Sequence, residues 1–180
     1  MKVSKRLLAL ALAAAMALSV LTGCNTEGEE TTPQEEVGVT ATAGGSIQWP
    51  EGMDTTLRFS TQTDEGTGTM YMVFNNVQNR FSEYFTAASD SITITSYATT
   101  ESPSINEYLV TLWKEGSNGR EYLDGYTMTF ATGGECQTAQ FTGLQPGQRY
   151  KIGLSFLSGI YYISGGLTVQ GLAAAETASQ

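Results

Sequence analysis

The sequence predicts an all-β fold, an antiparallel two-sheet sandwich, on three observations. From Ile47 onward the composition turns to Tyr, Phe, Thr, Val and Ile, the residues that suit a pleated, half-buried surface. Apolar residues then recur with period two in short runs, as when one strand face meets a core and the other meets water. Glycine, Asn-Gly and Pro-Gly clusters separate the runs at regular intervals. About eight short strands result, with room for one short helix.

Thr55 to Thr61 places Leu57 and Phe59 on one face. After the turn-forming Asp64-Glu65-Gly66-Thr67-Gly68, the run from Thr69 to Phe74 offers Met70, Met72 and Phe74, so the two are expected to pair as a hairpin. Between Asn76 and Ala88 the apolar residues Val77, Phe81, Tyr84, Phe85 and Ala88 fall at helical spacing behind a candidate Asn cap, which predicts an amphipathic helix over one end of the sandwich. Ser91 to Tyr97 alternates again through Ile92 and Ile94. Glu107 to Lys114 is apolar on both faces and reads as a central strand buried on both sides, with Trp113 near its end. Asn118-Gly119 is a turn signal, Tyr126, Met128 and Phe130 alternate, and Gly133-Gly134 leads into Cys136 to Phe141. A last strand is expected from Ile160 to Val169, with Gly165-Gly166 marking a bulge or a close strand approach.

The stretch from Phe141 to Phe156 carries the most specific local pattern. In Gln145-Pro146-Gly147-Gln148, Pro146 pre-sets φ and Gly147 supplies the positive φ that a type II turn needs at its third position. Tyr150, Ile152, Leu154 and Phe156 then alternate with Arg149, Lys151, Gly153 and Ser155. Leu144, Pro146, Gly147 and Tyr150 resemble the tyrosine corner of fibronectin type III and immunoglobulin-like sandwiches, which implies that the Tyr150 hydroxyl bonds to backbone just upstream. That resemblance covers roughly Glu107 to Val169. Before Ser91 it fails, leaving a jelly roll or another bacterial Ig-like variant open.

The N-terminus predicts where the chain resides. Lys2, Lys5 and Arg6 precede an Ala/Leu-rich run from Leu7 to Val20 that is too short for a permanent span. Leu21-Thr22-Gly23-Cys24 resembles the lipobox of bacterial lipoproteins, which implies a signal peptide over 1–23, cleavage after Gly23 and lipid on Cys24. The expected domains are then an acidic tether over 24–45, a sandwich over 46–172 and a frayed tail over 173–180. Two or more acyl chains on Cys24 give stable anchoring, so the localisation expected is extracytoplasmic, with the membrane as partner through the lipid.

Composition excludes several chemistries. Removing Lys2, Lys5 and Arg6 takes the formal charge from −9 to −12, and the six remaining cations are scattered in sequence, which argues against nucleic acid as a partner. With Cys24 lipidated, Cys136 is the only thiol left, expected as a small buried hydrophobe, and no intramolecular disulfide is available. The absence of His removes Ser-His-Asp and Cys-His nucleophile systems and imidazole zinc sites. No cofactor motif occurs. Carboxylates remain. A glycosidase needs two of them about 5–10 Å apart; Glu101, Glu107, Asp124 and Glu135 lie near strand ends, but nothing in their spacing pairs any two. Asp54, Asp64 and Glu65 offer the oxygen ligands calcium takes, without the alternating Asp/Asn loop, so no metal site is expected.

Exposed aromatics are the remaining candidates. Tyr161 and Tyr162 are adjacent in an expected strand and must face opposite sides, and Trp49 lies before the first strand. Trp49, Tyr161 and Tyr162, with Tyr71 and Tyr84 behind them, are the candidate ligand-stacking residues. The function expected is a non-enzymatic, surface-anchored binding or adhesion module for envelope proteins or glycans. The alternative is a carboxylate-dependent glycoside hydrolase or an accessory carbohydrate-binding module.

Overall fold

The computed structural model describes residues 39–40 and 46–174. The expected signal peptide, Cys24 and most of the tether lie outside the described residues, as do residues 175–180 of the expected tail. Among the described residues there are eleven strands: β1 (Val39–Thr40), β2 (Phe59–Asp64), β3 (Thr69–Val77), β4 (Asn79–Phe81), β5 (Phe85–Thr86), β6 (Ser91–Thr100), β7 (Glu107–Gly116), β8 (Gly119–Ala131), β9 (Gln137–Thr142), β10 (Arg149–Ser155) and β11 (Ile163–Gln170). All strand pairings are antiparallel. One sheet runs β1-β9-β6-β11-β3-β2; the other runs β4-β10-β7-β8, with β5 also paired to β10.

The sandwich is therefore all-β, but its topology is not that of the fibronectin type III or immunoglobulin-like family. Leaving aside β1, β2 and β5, the eight principal strands pair from the outside inwards: β3 with β11, β4 with β10, β6 with β9 and β7 with β8. That is one long hairpin rolled into two facing sheets, the jelly roll. In the immunoglobulin-like order several consecutive strands stay in one sheet. Here only β7 and β8 do so among the eight.

The expected helix over Asn76 to Ala88 is absent; there are no helices among the described residues. Its segment instead supplies an interrupted edge strand along β10, with β4 at one end and β5 at the other. Ser82 bridges the interruption, because its N–H donates to the Ile152 carbonyl at 2.9 Å and its hydroxyl accepts the Ile152 N–H at 2.9 Å. Ladder bonds to a neighbouring strand outweigh a weak local helical preference here. Val77 and Phe85 face the core, whereas Phe81 lies opposite Gly153 on the outer face.

Three further expectations change. Leu57 is 47% exposed and precedes β2, so only Phe59 of that pair packs on the core. β7 is buried on one face alone: Tyr108, Val110 and Leu112 point inward, and Trp113 is half-buried on the outside. Tyr161 and Tyr162 precede β11 and are not part of a strand. The glycine pair behaves as a bulge, since the β11 register against β3 shifts between Ile163 and Gly165. A Cβ at Gly165 would lie 2.1 Å from the Tyr97 carbonyl oxygen, so no larger residue fits between β11 and β6.

The core joins alternate residues of both sheets, among them Met70, Met72, Phe74, Ile92, Ile94 and Leu167 facing Val110, Leu112, Ile152 and Leu154. A buried polar link crosses it. The Ser96 hydroxyl on β6 donates to the Gly166 carbonyl at 3.0 Å and also bonds the Tyr108 hydroxyl on β7. A hydroxyl has one proton, so Tyr108 is the donor to Ser96. At the end of the sheet, Gln145 N–H donates to Tyr150 Oη at 3.0 Å, closing a turn in which Gly147 has φ 80° and Gln148 N–H reaches the Gln145 carbonyl at 3.1 Å.

Two predictions follow from these hydroxyls. Tyr150→Phe leaves the Gln145 N–H without its acceptor and should cost about 1 kcal/mol in urea unfolding; a midpoint equal to wild type would show that bond to be unimportant. Burial pushes the Tyr108 phenol well above its ordinary value. The unfolded chain ionises near pH 10 while the folded one does not, so stability is complete below about pH 10 and falls as pH rises above it, by up to about 1.4 kcal/mol per pH unit. Unfolding midpoints measured from pH 9 to 11 should decline less steeply in Tyr108→Phe, and parallel curves for the two proteins would contradict this linkage.

Candidate functional site

The period-two geometry that packs the core also decides what the five-stranded sheet shows to solvent. On β10, Tyr150, Ile152 and Leu154 point inward, so Arg149, Lys151, Gly153 and Ser155 point out. The β7 register places Trp113 opposite Lys151 and Thr111 opposite Gly153. The β7–β8 hairpin pairs Gly116 with Gly119, which aligns Glu115 with Arg120 and Trp113 with Tyr122. Beyond that point β8 bulges, because Thr111 pairs with Thr127 and Leu112 therefore faces Leu123 to Tyr126. The extra residues let Tyr122 stay beside Trp113 while the Tyr126 hydroxyl reaches back to the Thr142 carbonyl at 3.0 Å.

The outcome is an aromatic row across β4, β7 and β8. Phe81 meets Trp113 edge-on, with centroids 5.6 Å apart at 80°, and Trp113 meets Tyr122 at 5.2 Å and 68°. These are the tilted arrangements that ring quadrupoles favour. Gly153 forms the floor: a Cβ there would sit 2.8 Å from Trp113 Nε1 and 2.9 Å from Phe81 Cε1. An open cleft of about 420 Å³ follows the row, with Asn79, Thr111, Thr127 and Ser155 as its polar lining. Ser155 Oγ bonds Asn79 Oδ1 at 2.8 Å, and the Thr111 and Thr127 hydroxyls lie 3.0 Å apart. Tyr122 is 51% exposed.

Three of the cations that are scattered in sequence converge on this face. The Arg120 guanidinium lies 4.3 Å from the Phe81 centroid and 5.6 Å from Trp113, and Lys151 Nζ lies 4.2 Å from Tyr84 and 5.6 Å from Phe81. Arg149 sits 5.1 Å from Tyr84 and is neutralised by Glu115, with both carboxylate oxygens 2.9 Å from Nη1. Lys114 has Glu121 at 3.8 Å. Arg120 and Lys151 make no ion pair among the described residues.

The stacking residues expected from sequence do not form one site: Trp49 meets Tyr71, Tyr161 and Tyr162 line one cavity elsewhere, and Tyr84 stands apart from both. Trp49 packs over the six-stranded sheet, where a Cβ at Gly166 would lie 2.5 Å from its ring, and it tilts against Tyr71 at 6.4 Å. Tyr161 backs onto the core, and its carbonyl accepts from Gln78 Nε2 at 2.9 Å. Tyr162, 42% exposed, lines a separate cavity of about 440 Å³ with Asn76, Glu101 and Ile160. Of the earlier aromatics only Tyr84 belongs to the cationic face. Phe81, Trp113, Tyr122 and Arg120 were not foreseen; the usable signal was the Asn-Gly hairpin, whose register brings Trp113 and Tyr122 together.

The carboxylates are dispersed and exposed. Glu107 begins β7, Asp124 lies in the β8 bulge and accepts the Gly125 N–H at 3.1 Å, Glu101 borders the Tyr162 cavity and Glu135 precedes β9. Asp54 Oδ1 accepts both the N–H and the hydroxyl of Thr56, which holds its carboxyl below the usual range. Asp64 Oδ1 caps its turn by accepting the Gly66 N–H at 2.9 Å. No group of three or more His, Cys, Asp and Glu gathers among the described residues. Cys136 is a buried free thiol. No protein-family model matches the chain, and no curated protein matches its sequence.

Proposed function

We propose that this chain is a lipid-anchored, extracytoplasmic binding module that uses the outer face of its five-stranded sheet to hold a glycan. The observation that carries this reading is the row Phe81, Trp113 and Tyr122 lying over Gly153 and lining an open cleft. Such rings present apolar area for the C–H face of a sugar, and the adjacent hydroxyl and amide groups can exchange hydrogen bonds with sugar hydroxyls. The rings sit on paired strands, so little is lost in ordering them on binding. Export and anchoring rest on the charged, apolar and Leu-Thr-Gly-Cys segments that precede the domain. The jelly roll itself contributes nothing to the argument, since one fold serves many functions.

The two tryptophans lie on opposite sheets, which makes a clean test. Titrating the full chain with a panel of polysaccharides should change its intrinsic fluorescence. The change should persist in Trp49→Phe and vanish in Trp113→Phe; a response owed to Trp49, or silence across the panel, would refute the site. Anchoring is tested by Cys24→Ser, which should move the protein from the membrane to the soluble fraction. Unchanged partitioning would remove the lipid from the account.

A further inference from the structure

We infer that the ligand of this face is a carboxylate-bearing polysaccharide, a polymer of uronic-acid type, with Arg120 and Lys151 as its charge-reading residues. The inference rests on the glycan reading above and adds the sign and kind of charge. Residues 46–174 contain twelve acidic and six basic residues, so the domain as a whole repels anions. Cations in such a domain are expected to be neutralised by neighbouring acids. Arg149 is, by Glu115, and so is Lys114, by Glu121.

Arg120 and Lys151 are the exceptions on this face. Each is held against aromatic rings instead of a carboxylate, and both approach the same Phe81 ring, at 4.3 and 5.6 Å. An aromatic partner holds a cation in place without neutralising it. The N–H groups of a guanidinium over a ring remain free at its edge, in the planar fork that matches a carboxylate. Screening confines attraction to about 8 Å at physiological salt, so on this face an anion is drawn in where these two cations stand.

The neighbouring groups specify a sugar polymer over a bare anion. The cleft spans four strands, about 14 Å at the usual strand spacing, which exceeds a single sugar ring. Its lining combines rings with the hydroxyl pair Thr111–Thr127 and the hydroxyl–amide pair Ser155–Asn79. Apolar faces, hydroxyls and periodic carboxylates occur together in a uronic-acid polymer. An acidic peptide has the charge without the hydroxylated rings.

The test compares polygalacturonate with its fully methyl-esterified form, which keeps the backbone and removes the charge, and with polyglutamate, which keeps the charge and removes the sugar. Binding to the full chain is read by Trp113 fluorescence and calorimetry at two salt concentrations. Polygalacturonate should bind at least tenfold more tightly than either control and weaken with salt, and the double substitution Arg120→Gln, Lys151→Gln should abolish its advantage over the ester. Equal binding of acid and ester would overturn the charge assignment and leave the glycan reading standing. Equal binding of polyglutamate would overturn the sugar assignment and make the face a dock for acidic protein. If uncharged glycans alone quench Trp113, this inference fails by itself; if no glycan does, it falls together with the reading beneath it.

Discussion

The alternation along β10, fixed at one end by the bond from Gln145 N–H to the Tyr150 hydroxyl, is the constraint on which both the core and the outer face depend. Once Tyr150 is held inward, Ile152 and Leu154 follow it into the core, and Arg149, Lys151 and Gly153 have no choice but to face out. A slip of one residue would bury two cations and expose three large apolar side chains, so the register is strongly determined. The core and the candidate site are therefore two readings of one strand.

Neighbouring strands extend this constraint. β7 lies against β10 and carries Trp113 to the position opposite Lys151; β4 lies on the other side and carries Phe81 over Gly153. Glycine is required there because the two rings occupy the space a side chain would take. Ser82 keeps the interrupted edge strand bonded to Ile152 while Phe81 faces outward and Phe85 inward. Across the core, the buried Ser96–Tyr108 hydroxyl pair ties the two sheets together, and its partners are complete only when both sheets are in register.

What could be read from sequence was local. The alternation at Met70, Met72 and Phe74, at Ile92 and Ile94 and at Tyr150 to Phe156 depends only on neighbouring residues, and the turn at Pro146-Gly147 depends on two special backbones. The strand pairing was not legible. β3 and β11 pair across almost the whole domain, and the turn-and-tyrosine pattern that resembles an Ig-like corner closes an equivalent loop in a jelly roll just as well. The expected helix failed for a related reason: the interruption at Ser82 spaces Val77, Phe81 and Phe85 four apart while sending Phe81 and Phe85 to opposite faces. The run from Glu107 to Lys114 reads as buried on both sides, although Trp113 lies outside, because an apolar run does not say which of its faces another layer will cover. The cations looked scattered because Arg120 and Lys151 are thirty-one positions apart, and only the β7-mediated sheet brings them to one ring.

Amide chemical-shift mapping of the isotopically labelled full chain during titration with oligogalacturonate addresses the central claim most directly, because it reports where the ligand sits without any substitution. Perturbations should concentrate on Phe81, Trp113, Arg120, Tyr122, Lys151 and Gly153, and the six-stranded sheet around Trp49 should remain silent. Shifts centred on Trp49, or on the Tyr161–Tyr162 end of the sandwich, would contradict the account.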